Sequence, residues 1–132
     1  MRRVFVDTSA WYALIDRADP EHSLVIAQLK AHQGRLLTSN FVLDETVTLR
    51  RYRLGWPVAH TFGEQMRAGR LSLSVRVTPR DEELAWDIFA RYRDQAFSYT
   101  DCTSFALMER LRLAAAIALD EDFRIFGFQV LP

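Results

Sequence analysis

At 132 residues the chain is long enough for one domain with a true core, and a single domain over residues 1–132 is expected. Hydrophobic residues make up 49% and no apolar run reaches the ~18–20 residues that span a bilayer, so a soluble protein with no membrane partner is expected. Zero net charge, from 17 basic and 17 acidic residues, argues against a general polyanion-binding surface, and the single cysteine, Cys102, excludes an internal disulfide and suits a reducing cytoplasm.

The first apolar stretch, Val4-Phe5-Val6, is too short for a signal-peptide core and breaks at Asp7, so residues 4–7 read as a strand. A helix over 9–16 follows. Asp19-Pro20 places a capping carboxylate before a proline at the first position of a helix over 20–32, and Gly34 stops it. A strand over 35–38 leads to Asn40, a cap for a helix over 41–54 that ends at Gly55. A helix over 57–68 ends at Gly69, and a strand over 72–75 follows. Thr78-Pro79 and the acidic turn Asp81-Glu82-Glu83 open a helix over 81–96; a helix over 101–113 and strands over 115–118 and 128–131 complete the chain. This alternation predicts an α/β fold, a central, mostly parallel sheet of about five strands with helices on both faces. Such sheets bind ligands beyond the carboxyl ends of their strands, where strand order reverses.

Acidic residues fall at those ends. Asp7 closes the first strand, and helix capping would explain it equally well. On the helix over 41–54, residues step round by about 100° each. That step puts Glu45 among Phe41, Val42, Leu49 and Tyr52, with Asp44 pointing away, and a glutamate on an apolar stripe needs a cation or donor to offset its burial. Asp101 opens its helix between Phe105 and Met108 on the inward side. Asp120 ends Ala115-Ala116-Ile117-Ala118-Leu119 at a strand-to-helix junction, with Asp122 competing for the same place. As a set, Asp7, Glu45, Asp101 and Asp120 repel one another unless protonated or neutralised by a hard cation. Oxygen-only ligands favour Mg²⁺ or Mn²⁺ over zinc, and such a site suits metal-assisted phosphodiester hydrolysis.

These segments resemble the PIN-domain family, and within it the VapC-type toxins of toxin–antitoxin modules. The likeness runs through Val4-Phe5-Val6-Asp7-Thr8-Ser9-Ala10-Trp11, Thr38-Ser39-Asn40-Phe41-Val42-Leu43-Asp44-Glu45-Thr46, Ser98-Tyr99-Thr100-Asp101-Cys102, Ala118-Leu119-Asp120-Glu121-Asp122-Phe123 and Gly127-Phe128-Gln129-Val130-Leu131-Pro132. The resemblance implies a three-layer PIN fold, metal-dependent endonuclease activity on RNA, and catalytic and metal roles for Asp7, Glu45, Asp101 and Asp120. It also implies nearby hydroxyls at Thr8 or Ser9 and at Ser98 or Thr100, a homodimer, and an inhibitory antitoxin. The family's last motif commonly reads Thr-x-Asp, and Ala118 departs from it.

Arg50, Arg51 and Arg53 crowd the end of the Glu45 helix, where they favour the helix C-terminus or reach RNA phosphates at the mouth of the site. His22, His32 and His60 are not spaced as metal ligands, and Cys102 has no histidine to activate it. Trp11, Tyr12, Trp56 and Phe62 are either core or an apolar groove for a partner. A phosphatase would want a second aspartate where Ser9 stands, and a receiver domain a late lysine, whereas Lys30 is the only one. A non-catalytic binding scaffold, or an RNA-processing nuclease that is not a toxin, are the remaining alternatives.

Overall fold

The computed structural model describes residues 2–131. Strands β1 (Val4–Val6), β2 (Leu36–Ser39), β3 (Leu73–Val75), β4 (Ala115–Ile117) and β5 (Gln129–Leu131) form one parallel sheet in the order β3-β2-β1-β4-β5. Consecutive strand residues face opposite sides of a sheet, so the burial of Val4, Phe5 and Val6 alike means that β1 is covered on both faces. The central strand is therefore an uninterrupted apolar run, as a buried parallel strand requires.

Helices α1 (Thr8–Ile15), α2 (His22–Ala31), α3 (Asn40–Leu54), α4 (Trp56–Arg67), α5 (Pro79–Arg91), α6 (Tyr99–Leu111) and α7 (Asp122–Phe126) connect the strands. Every residue of α6 from Cys102 to Met108 is buried. That run passes nearly twice round the helix, so α6 is enclosed on all sides and shows no amphipathic stripe. Phe105 on α6 stacks on Phe126 at 4.5 Å and meets Phe123 edge-on at 4.9 Å, packing the chain's last helix against α6.

Several helix starts differ from expectation for local reasons. Asp19 does not cap α2; its carboxylate accepts from the Glu21 N–H in the preceding turn, and α2 begins at His22 without a side-chain cap. Ser39, not Asn40, caps α3 through the Val42 N–H, which frees the Asn40 amide oxygen to accept from Val77 N–H. The helix predicted over 81–96 is α5, which begins two residues earlier because Thr78 and Asp81 form a reciprocal capping box, and it ends at Arg91. A similar box between Ser98 and Asp101 starts α6 at Tyr99. Helix α7 is too short to show a period in the sequence.

Asp81 also joins α5 to α6. The Arg110 guanidinium donates to its two oxygens at 2.8 and 2.9 Å, and the Thr78 N–H adds a third donor at 2.9 Å. Burial pushes this carboxyl up, but those donors outweigh it and hold it below the ordinary 3.8. A depressed folded pKa contributes stability above the unfolded value and loses it as pH falls through the folded one. Asp81→Asn is therefore expected to cost about 1–3 kcal/mol near neutral pH. In urea titrations its deficit against the parent should shrink once the pH drops below 3.8; a deficit unchanged by acid would show that the charge is not what matters.

Candidate active site

Strand order reverses between β1 and β4: the chain leaves β1 for β2 and β3 on one side, then returns across the sheet to β4 and β5. The carboxyl ends of these two strands are joined by hydrogen bonds. The Asp7 N–H donates to the Ile117 carbonyl at 3.0 Å, continuing the ladder one residue past β1. The Ser9 hydroxyl donates to Asp7 Oδ2 at 2.8 Å and accepts from the Leu119 N–H at 3.0 Å. Ser9 thus stitches the end of β1 to the segment that carries Asp120.

Asp7 is the N-cap of α1, and it caps with one oxygen only. Oδ2 accepts from the Ser9 N–H and hydroxyl. Oδ1 is buried and has no partner among the described residues. Burial first, and Asp120 second, push this carboxyl up to about 7.

Asp101 arrives from α6, where its Oδ2 accepts from the Ser98 N–H at 3.0 Å. Burial raises it to about 8, and the charges of Asp7, Asp120 and Asp122 add to the rise. Asp120 sits beyond β4, where its Oδ1 accepts from the Asp122 N–H at 3.1 Å. Burial raises it too, with Asp122, Glu121 and Glu45 contributing. Glu45 lies six residues after the Ser39 cap, a rise of about 9 Å along α3 from the end of β2. Its charge acts on both Asp120 and Tyr12. The fold therefore brings the four sequence-predicted acids to one sheet edge.

The apolar stripe expected around Glu45 is not the face that α3 buries. Leu49 is 42% exposed and Tyr52 82% exposed, so the expected apolar stripe is not buried along its length. The buried line of α3 is Val42, Thr46 and Arg50, with Glu45 half-buried at its edge and Asp44 exposed. Arg50 is likewise not at a solvent-facing mouth. It is 6% exposed, with its guanidinium carbon 4.1 Å from the Tyr12 ring centroid. Arg51 and Arg53 are the exposed arginines of that turn.

The hydroxyls are placed variously. Ser9 and Ser98 are committed to the bonds above, Ser98 accepting from the Asp101 N–H. Thr8 is buried with its hydroxyl unpartnered among the described residues, and the Thr100 carbonyl accepts from the Thr103 hydroxyl. Trp11 and Phe62 pack together in the core at 5.7 Å, whereas Trp56 is exposed and stacks on His60. His22 and His32 bond to backbone carbonyls of Ala13 and Gln28. Tyr12 is the residue near the acids that sequence reasoning set aside. Its hydroxyl is buried without a partner among the described residues, and an aromatic on a short apolar helix carries no signal that separates it from core.

Unsatisfied buried polar groups are rare in folded proteins and mark places where a partner is missing. Among the described residues such atoms occur on Asp7, Thr8 and Tyr12, which are the cap and two members of α1, and also on Arg50 of α3 and Ser104 of α6. The donor set is all oxygen, which fits a hard divalent cation. Among the described residues no group of three or more His, Cys, Asp or Glu side chains is placed to hold a metal ion as the structure stands.

A family model described as the PIN domain matches residues 4–129, so the chain belongs to the PIN-domain family. It is 38% identical over 128 residues, 95% of each chain, to the 23S rRNA-specific endonuclease VapC20 of Mycobacterium tuberculosis. The crystal structure of that VapC20, described as a sarcin–ricin loop cleaving toxin, matches with a TM-score of 0.91 and 35% identity, covering 98% of this chain and 99% of the other. DNA-bound VapBC from Salmonella typhimurium shares the fold, with a TM-score of 0.74 at 18% identity over 98% and 97% of the two chains. Within the family this chain stands with the VapC-type endoribonucleases. Among the described residues no helix is long and apolar enough to cross a membrane.

Raised carboxyl pKa values have a definite consequence for stability. Between 3.8 and about 7 to 8 the folded chain holds protons on Asp7 and Asp101 that the unfolded chain releases. Stability is then present at low pH and lost as pH rises through that window. Melting curves in chelator are expected to shift downward from about pH 5 to about pH 9, and Asp7→Asn should flatten the decline. A parent curve that rises over this range would mean that these acids are ionised without a cation.

Proposed function

We propose that this chain, acting as a single PIN domain, hydrolyses RNA phosphodiesters with a divalent cation, Mg²⁺ or in its place Mn²⁺, held by Asp7, Glu45, Asp101 and Asp120. The observation that carries this reading is the buried, unpartnered Asp7 Oδ1 at the edge where the other acids gather. A carboxylate oxygen in that position is stable only when protonated or facing a cation. When bound, a divalent cation lowers the pKa of a coordinated water and offsets charge on the phosphate oxygens.

The chain's own residues do the rest. Ser9 holds Asp7 through Oδ2, which leaves Oδ1 directed elsewhere. The Ser98 N–H does the same for Asp101, and the Asp122 N–H for Asp120. We assign Asp120 and not Asp122 to the set because Asp122 serves it through its backbone. Ser9 and Ser98 act as orienters of acids, and the exposed Arg51 and Arg53 take over from the buried Arg50 as phosphate contacts.

The substrate class we propose is structured RNA, with the sarcin–ricin loop of 23S rRNA as the first molecule to try, because a 38% identical relative is named a 23S rRNA-specific endonuclease and its crystal structure is described as that of a sarcin–ricin loop cleaving toxin. A cytoplasmic homodimer restrained by a cognate antitoxin belongs to the same reading and rests on the VapC resemblance.

Purified protein incubated with ribosomal RNA should cut it in Mg²⁺ or Mn²⁺ and not in chelator. Asp7→Asn and Glu45→Gln should each lower the cleavage rate by about 100-fold or more while the fold persists. Cleavage by Asp7→Asn at the parent rate would remove the proposed mechanism, and cleavage undiminished in chelator would remove the cation.

A further inference from the structure

The four acids are not equally held. Asp7 has Ser9, Asp101 has the Ser98 N–H, and Asp120 has the Asp122 N–H. Glu45 alone has no hydrogen bond or ion pair among the described residues, although its side chain is the longest and most mobile of the four. Carboxylates that bind a cation are ordinarily hydrogen-bonded in turn, which fixes the oxygen they present.

A donor without an acceptor among the described residues lies on α1, the helix packed against α3. The Tyr12 hydroxyl is buried with no partner among the described residues, as is the Arg50 Nε. Tyr12 stands on α1, which starts at Asp7, and Arg50 stands on α3 five residues beyond Glu45. The Arg50 guanidinium covers the Tyr12 ring face at 4.1 Å and holds it between the two helices. Burial pushes the phenol up to about 12, with Glu45 the largest charge acting on it and Asp7 adding to the rise against Arg50 and Arg53. A phenol keeps its proton at neutral pH and is available to donate.

We propose that Tyr12, braced by Arg50, is a positioning residue of the cation site: its phenol O–H donates to the Glu45 carboxylate in the loaded protein and fixes which Glu45 oxygen faces the cation. An unanchored acid and an unpaired donor complete each other. This also explains a buried hydroxyl that contributes nothing to the metal-free fold. The inference rests on the cation site proposed above and goes beyond it in naming a residue outside the four acids.

Tyr12→Phe removes the hydroxyl and keeps the ring on which Arg50 stacks. Its melting temperature in chelator should equal or exceed the parent's, because the deleted group has no partner to lose. Calorimetric titration with Mn²⁺ should show binding weakened by about 10-fold. At saturating Mn²⁺ the RNA KM should match the parent's, since the residue acts through Glu45 and not on RNA. In a Glu45→Gln background the same substitution should add nothing further. Arg50→Lys should weaken Mn²⁺ binding less than Tyr12→Phe does.

Parent-like Mn²⁺ affinity in Tyr12→Phe overturns the proposal, and so does a weakening that persists in full without Glu45. A parent that binds Mn²⁺ but leaves RNA intact would sink the nuclease mechanism and spare this inference. A parent that binds no Mn²⁺ would sink both.

Discussion

Like charges must be held together at the seam between β1 and β4, and most of the fold can be understood as the means of doing so. Asp7 is 2% exposed, yet it is neither paired with a cation nor fully hydrogen-bonded. Its position is set by the Val6–Ile117 register, by its own N–H on the Ile117 carbonyl, and by the Ser9 bridge to Leu119. These constraints converge on the point where strand order reverses, so the acid cannot move away from Asp120 without unpairing the two inner strands. The strands themselves are only three or four residues long. Rigidity comes from apolar burial on both faces, with Phe5, Trp11 and Phe105 fully enclosed.

A comparison within the molecule shows what is unusual about that seam. Asp81 is buried almost as deeply as Asp7, at 4% exposure. It receives Arg110 and the Thr78 N–H, and its carboxyl is held below the ordinary range. Asp7 is pushed up to about 7 by burial first and by the charge of Asp120 second, and one of its oxygens has no donor among the described residues. Burial is common to both; the supply of partners differs. Asp81 is satisfied by the chain, whereas Asp7 keeps one acceptor that nothing among the described residues fills.

Where the sequence was informative, the physics was local. The apolar run before Asp7 and the one before Asp120 each end at a charge, which is how a buried parallel strand delivers a side chain to its carboxyl edge. The Thr78 cap and the glycine stops were legible for the same reason. Glu45 was chosen on a helical wheel that treated Leu49 and Tyr52 as buried, and they are not. A wheel gives direction round one helix and cannot say how far along it the packing extends. Tyr12 and Arg50 were obscured because their meaning lies between two helices: alone, one reads as core aromatic and the other as a C-terminal cation.

The hardest ambiguity in the sequence is whether aspartates at helix starts are caps or ligands, and the two uses do not exclude each other. A cap needs one carboxylate oxygen, and an aspartate has two. Asp7 and Asp101 each commit Oδ2 to the turn that begins their helix, and Asp120 commits Oδ1 to the turn before α7. Capping immobilises the side chain at the cost of one acceptor, which fixes where the other oxygen points without any further residue. The positions where helix chemistry most favours an aspartate are thus the ones where a second, functional use requires the least additional construction. Glu45, in the middle of a helix, has no backbone donor free to perform that service, and an anchor for it has to come from another element.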